Sequence, residues 1–150
     1  MSWTGDWKTV HSKWHFRFLE LAAQVAGWSK DLDHRVGALL VAPGMQQMSP
    51  GYNGLPRGVN DEAYLPACSK DLKLQLTVHS EVNALDNAAF PVAGSALYVT
   101  RHPCLKCAVS ILNRGVAMLV CPPPEPDSSW YDEQRAARNL LIDLVALRSV

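Results

Sequence analysis

Two short segments of this chain gather residue types that bind borderline metal ions and move protons: His79-Ser80-Glu81 and Pro103-Cys104-Leu105-Lys106-Cys107. His79, Cys104 and Cys107 are all ordinary ligands for Zn2+, and they number three. Structural zinc closes its shell with four protein ligands, whereas catalytic zinc keeps three and leaves one vertex to solvent. Zinc in such a shell lowers the pKa of water from about 15.7 to about 7, which yields hydroxide at neutral pH without a strong base. Glu81 is then a carboxylate outside the shell, able to serve as general base and acid. The chemistry implied is hydrolysis.

Spacing sharpens this reading. Cys104 and Cys107, three apart in the first turn of a helix, share a face and can grip one ion. Both segments fall where helices are expected to begin, and the unpaired N–H groups and macrodipole there favour thiolates. Residues two apart on a regular helix do not face each other, so His79 and Glu81 converge only if the helix starts there. Taken alone, a C-x-x-C pair also fits two core residues, a redox pair or half of a structural zinc site. His102 precedes Pro103, where extended backbone is favoured, and is read as a pocket wall and not a ligand. His11, His15 and His34 carry no ligand spacing and are read as surface or packing residues.

The elements that must position these groups follow from periodicity. Trp14, Phe18, Leu21, Ala22, Val25 and Ala26 mark a first helix over 14–27 with one buried stripe. Arg35 to Ala42 and Met45 to Tyr52 read as a hairpin around Pro43-Gly44. Residues 55–77, with Pro56, Gly58 and Pro66, read as a long surface excursion or lid. Helices are expected over 78–89 and 103–114, the second opening on Pro103 and ending before Gly115. Strands are expected over 95–101 and 116–121. After Pro122-Pro123-Pro124, Ser129 and Asp132 resemble a capping box that opens a last helix through about Leu144, and 145–150 suits an edge strand. Strand–helix alternation after residue 78 implies parallel pairing, and the hairpin adds antiparallel pairing, giving a three-layer α/β/α domain with a mixed five-stranded sheet.

The chain's 150 residues suit one domain spanning 1–150, large enough for a core without disulfide staples. Fourteen basic and fourteen acidic residues cancel, which argues against a nucleic acid polymer as partner. No leader is visible, and apolar runs such as Ala38 to Ala42 are too short to span a bilayer, so no membrane partner and a cytoplasmic location are expected. Cys68 and Cys121 stand apart from the metal spacing and are read as buried thiols. Trp3, Trp7, Trp14 and Trp28 crowd the N-terminal region, where a core role is favoured over docking to a second subunit.

H-x-E followed by P-C-x-x-C is the signature of zinc nucleobase deaminases. With Ser29-Lys30-Asp31, Val36-Gly37-Ala38, Gly51-Tyr52-Asn53-Gly54-Leu55-Pro56-Arg57-Gly58 and Thr77-Val78-His79-Ser80-Glu81-Val82-Asn83-Ala84, the chain resembles the deoxycytidylate (dCMP) deaminase family of the cytidine deaminase-like superfamily. That resemblance implies hydrolysis of dCMP to dUMP and ammonia, a step feeding thymidylate synthesis. It implies that His79, Cys104 and Cys107 bind zinc, that Glu81 shuttles protons, that Asn53 contacts the deoxyribose and that the Ser80 backbone holds the base. Members often carry Ala where this chain has Ser80. Asn53 reads equally as a turn residue between glycines. A monophosphate needs a cationic or N–H-rich cradle, for which Lys30, Arg35, Arg57 and Arg101 are candidates with Tyr131. The resemblance further implies a homo-oligomer, a hexamer in many members, and dCTP and dTTP as effectors. Some relatives hold a second zinc between GYNG and the His motif, where this chain offers only Cys68, so a single zinc is expected.

The same scaffold would serve a deaminase of a base-modified dCMP or of another small amino-pyrimidine or purine. tRNA editing is disfavoured by the absence of a basic excess. A silent zinc-stabilised scaffold is the reading from another class, and Glu81, which a structural site does not require, argues against it.

Overall fold

The computed structural model describes residues 5–66 and 68–149, with Leu144 described by its backbone. Five strands, β1 (Gly37–Val41), β2 (Met48–Tyr52), β3 (Ala96–Val99), β4 (Met118–Cys121) and β5 (Ala146–Ser149), form one sheet in the order β2-β1-β3-β4-β5. β1 pairs antiparallel with both β2 and β3, whereas β3, β4 and β5 run parallel. The mixed five-stranded sheet expected from the sequence is therefore present. Its central strands read GALLV, ALYV and MLVC and are buried at every position, as strands covered on both faces must be. β2 lies at the edge and alternates exposed with buried residues, and there Pro50 forfeits no inner ladder bond.

Helices cover both faces. α1 (Ser12–Ala26) seals one with Phe18 and Ala22 against Leu39, Val41 and Tyr98. On the other face α4 (Ser80–Asn87), α5 (Leu105–Asn113) and α6 (Tyr131–Leu144) bury Ala84, Leu85, Ala108, Ile111, Ala137 and Leu141 against Leu40, Leu97 and Leu119. Leu21, expected in the buried stripe of α1, is instead exposed, because the helix packs through Phe18, Ala22 and Val25. His11 caps α1, its Nδ1 accepting from the Lys13 N–H at 3.1 Å.

Residues 55–77, a long surface excursion or lid by sequence, carry short helices that the lack of periodicity did not reveal. These are α2 (Asp61–Tyr64) and α3 (Lys70–Leu76), capped by the side chains of Asn60 and Ser69. The tryptophans divide: Trp7 is buried and donates Nε1–H to the Gly94 carbonyl at 2.8 Å, Trp14 is half-buried, and Trp28 is exposed, edge-on to Tyr52. Trp3 lies outside the described residues. Cys121 is buried as expected, and Cys68 is only half-buried. The Ser129–Asp132 capping box does not form; Ser128 turns back instead, its Oγ accepting from the Trp130 N–H at 3.1 Å.

His15 is on the buried face of α1, its Nδ1 2.8 Å from the Tyr98 hydroxyl. Burial, aided by the charge of Arg148, lowers its pKa from the usual 6.5. The unfolded chain therefore takes up this proton first as pH falls, so His15 contributes stability that is full above about 6.5 and declines on acidification toward the folded value. Urea unfolding between pH 7.5 and 5.5 should show the midpoint falling with pH, and His15→Asn should reduce that slope. His102, lowered for the same reason, sustains the remainder.

Candidate active site

The site forms where α4 begins beside the loop that leaves the carboxyl end of β3. Val78 pairs with Gly54 through two backbone hydrogen bonds of 2.8 and 3.1 Å, which fixes the entry to α4 against the GYNG turn. Further along the helix, Asn83 Nδ2 donates to the Tyr52 carbonyl at 2.8 Å and Asn87 Nδ2 to that of Pro50 at 3.3 Å. Gly51 permits this approach: a Cβ there would stand 2.3 Å from both the Ser80 carbonyl oxygen and the Ala84 nitrogen. Gly51→Ala should thus push the first turns of α4 off β2, costing about 1–3 kcal/mol by overpacking. Urea unfolding should register the loss, and Glu81, which rides on that turn, should be displaced with it.

His79 is the N-cap of α4, with extended backbone at φ −72° and ψ 154°, and Glu81 sits in the first turn. The helix therefore starts where the H-x-E spacing requires. Cys104 is the N-cap of α5 and Cys107 lies in its first turn. The His79 Nδ1 is 3.2 Å from the Cys107 Sγ and 3.5 Å from the Cys104 Sγ, and all three donor atoms lie within 4.8 Å of one another. Tetrahedral zinc with Zn–N of 2.0–2.1 Å and Zn–S of about 2.3 Å separates N from S by about 3.6 Å. The donor set fits that ion in chemistry and in spacing. Among the described residues no fourth side chain joins the group.

Electrostatics at the site follow from hydrogen bonding and burial. The Cys104 thiol is held well below its ordinary range by hydrogen bonds from Cys107 and His79. Cys107 is pushed up by its hydrogen bond to Cys104 and by burial, so Cys104 yields its proton first. His79 is raised, chiefly by its hydrogen bond with Cys104. Glu81 is 5% exposed, and burial raises its carboxyl above the usual carboxylate range. The Ser80 hydroxyl, fully buried, donates to Glu81 Oε2 at 3.1 Å. The sequence offered two readings of Ser80, a backbone contact or a hydroxyl that alters the pocket, and the hydroxyl is the group engaged with Glu81.

The remaining candidates are placed less uniformly. Asn53 is buried, its Oδ1 accepting from the Val36 N–H at 2.9 Å and its Nδ2 donating to the His34 carbonyl at 2.7 Å, so both ends of the amide order the 34–36 loop. Exposed Lys30 pairs with Asp61 at 3.1 Å, and exposed Arg35 donates Nε–H to the Asp31 carbonyl at 3.1 Å. Arg57 donates to the Asn87 side chain, about 9 Å along the α4 axis from Glu81. Arg101, three residues before Cys104, is paired with Glu125 at 3.3 Å and reaches the Ser128 Oγ at 3.4 Å. Tyr131 opens α6, with the Arg135 guanidinium 5.6 Å from its ring centroid. His102 is buried and donates Nδ1–H to the Pro103 carbonyl at 3.0 Å, consistent with a wall beside the ligands.

Sequence reasoning passed over Gln134, which is 2% exposed and links the loops after β3 and β4. A signal existed: Gln134, Ala137 and Leu141 fall three and four apart, so Gln134 is a polar residue on the apolar stripe of α6.

Comparison with known proteins agrees with this geometry. Residues 12–122 match the family model described as the cytidine and deoxycytidylate deaminase zinc-binding region. The chain is 34% identical over 131 residues to an uncharacterised deaminase in the luxG 3′ region of Aliivibrio fischeri, covering 86% of this chain and 87% of that protein. It is 34% identical over 134 residues to the human deoxycytidylate deaminase, covering 85% and 74%. In fold it resembles the dCMP deaminase of cyanophage S-TIM5, solved in complex with dCMP and dUMP, with a TM-score of 0.72, 20% identity and coverage of 94% and 99%. The chain belongs to the cytidine and deoxycytidylate deaminase family, and the ion that its His79, Cys104 and Cys107 donors suit is that family's zinc.

Proposed function

We propose that the chain hydrolyses dCMP to dUMP and ammonia. The observation that carries the hydrolytic part is Glu81, buried beside three convergent zinc donors and not one of them. Support for dCMP comes from the relationship to the human deoxycytidylate deaminase over 85% of this chain. Zinc held by His79, Cys104 and Cys107 supplies a Lewis acid that makes water nucleophilic near neutral pH. Glu81 takes a proton from the attacking water and passes it to the ring nitrogen beside the amino-bearing carbon. It then takes the second proton from the hydroxyl now on that carbon and delivers it to the amine, which leaves as ammonia. Water is consumed, the C–N bond breaks and a carbonyl replaces the amine. Raised basicity suits Glu81 to both directions of transfer, and the Ser80 hydroxyl holds its Oε2. Asn53 supports the site by ordering the turn and loop that border it.

Ammonia release by zinc-loaded protein should be measured on dCMP, deoxycytidine, dCTP, cytosine, 5-methyl-dCMP and adenosine, then repeated with dCTP and dTTP added. dCMP should be turned over fastest. A silent panel would contradict the proposal, and faster turnover of 5-methyl-dCMP would move the substrate to the modified base. Of Lys30, Arg35, Arg57, Arg101 and Tyr131, the one that binds the 5′-phosphate should, when replaced, impair dCMP far more than deoxycytidine.

A further inference from the structure

We propose that Gln134 is a positioning residue for the zinc ligand Cys104. It lies in the first turn of α6, beyond the segment matched by the family model, and its amide is used at both ends. Oε1 accepts from the Glu125 N–H at 2.9 Å, and Nε2 donates to the His102 carbonyl at 3.3 Å. Those partners lie on the loops that leave the carboxyl ends of β3 and β4, neighbouring parallel strands. One side chain thus joins the ligand loop to the segment after Pro122-Pro123-Pro124.

The held carbonyl is mechanically close to the ligand. His102 C=O is bonded to the nitrogen of Pro103, whose ring fixes φ and whose side chain is fully buried. Between that carbonyl and the Cys104 backbone, ψ of Pro103 is the one soft torsion inside the proline. On the far side, the Cys104 carbonyl accepts from the Ala108 N–H at 2.9 Å, so the cysteine is anchored from α5 and from α6. Arg101 reinforces the junction by pairing with Glu125 and reaching Ser128. Partners that orient a metal ligand commonly change metal affinity or activity by about 10–100-fold when removed.

The inference rests on the three-donor zinc site and not on the base deaminated, so its test reads the metal. Gln134→Met keeps the length and volume of the side chain and removes both hydrogen bonds. Zinc release into excess chelator should accelerate about tenfold or more, and the thiolate-to-cobalt absorption of the Co2+-substituted protein should shift. Leu141→Ala, on the same buried stripe of α6, is the control for loosened packing. It should lower the melting temperature at least as much yet release zinc within twofold of wild type. Wild-type release and an unchanged cobalt spectrum in Gln134→Met would overturn the proposal, as would equal acceleration in Leu141→Ala. If Gln134→Met does not fold, the coupling is read in the unaltered protein, because linkage is reciprocal. Withdrawing zinc should speed hydrogen exchange at the Glu125 amide about tenfold more than at the Ala42 amide, bonded to Gln47, which reports the general loss of stability. Acceleration at Glu125 no greater than at Ala42 would overturn it.

Discussion

Glu81→Gln should reduce ammonia release from dCMP by about 10³-fold or more, with zinc content and melting temperature close to wild type. A positioned acid or base contributes typically 10²–10⁴-fold, and the upper part of that range is expected where one carboxyl handles successive transfers. Fold and metal should survive for structural reasons. Glu81 is not in the donor group, and glutamine keeps the shape and an oxygen able to accept from the Ser80 hydroxyl. Because burial already disfavours the charged carboxylate, the neutral amide imposes no new desolvation cost. Activity within tenfold of wild type would remove Glu81 from the proton path.

The second large effect is expected from the metal itself. Chelation, or Cys107→Ala, should abolish turnover and lower the melting temperature, and only the chelated wild type should recover when Zn2+ is returned. A ligand present at 100 times its dissociation constant adds about 2.7 kcal/mol to stability. For a chain of this length that corresponds to a shift of about 5–10 °C. Affinity should rise with pH, because the Cys107 thiol is held protonated by its hydrogen bond to Cys104 and by burial, and must release its proton to bind. Zinc binding measured from pH 6 to 8.5 would show this as proton release. A pH-independent affinity would contradict the thiolate assignment.

The site was legible in the sequence because its information is local. His79 to Glu81 and Cys104 to Cys107 are short spacings whose geometry depends only on where two helices begin, and Pro103 marks one of those starts. The sheet was legible for a similar reason, since GALLV, ALYV and MLVC are apolar runs of strand length. α2 and α3 escaped notice because four and seven residues give too little periodicity, although Asn60 and Ser69 were present as caps. Ser128 and Ser129 are equivalent as letters, and only the return of the Trp130 N–H to Ser128 separates them. Contacts between distant residues were hidden altogether. The engagement of Asn53 with the 34–36 backbone, and of Arg101 with Glu125, depends on tertiary placement that no spacing rule encodes.

The most direct test is a crystal structure of the zinc-loaded protein with anomalous data at the zinc edge. The account predicts His79 Nδ1, the two sulfurs of Cys104 and Cys107 and one solvent oxygen around the ion. It further predicts the Glu81 carboxyl about 2.6–3.2 Å from that oxygen and outside the coordination shell. A fourth protein side chain on the zinc, or Glu81 bound to it directly, would contradict the account.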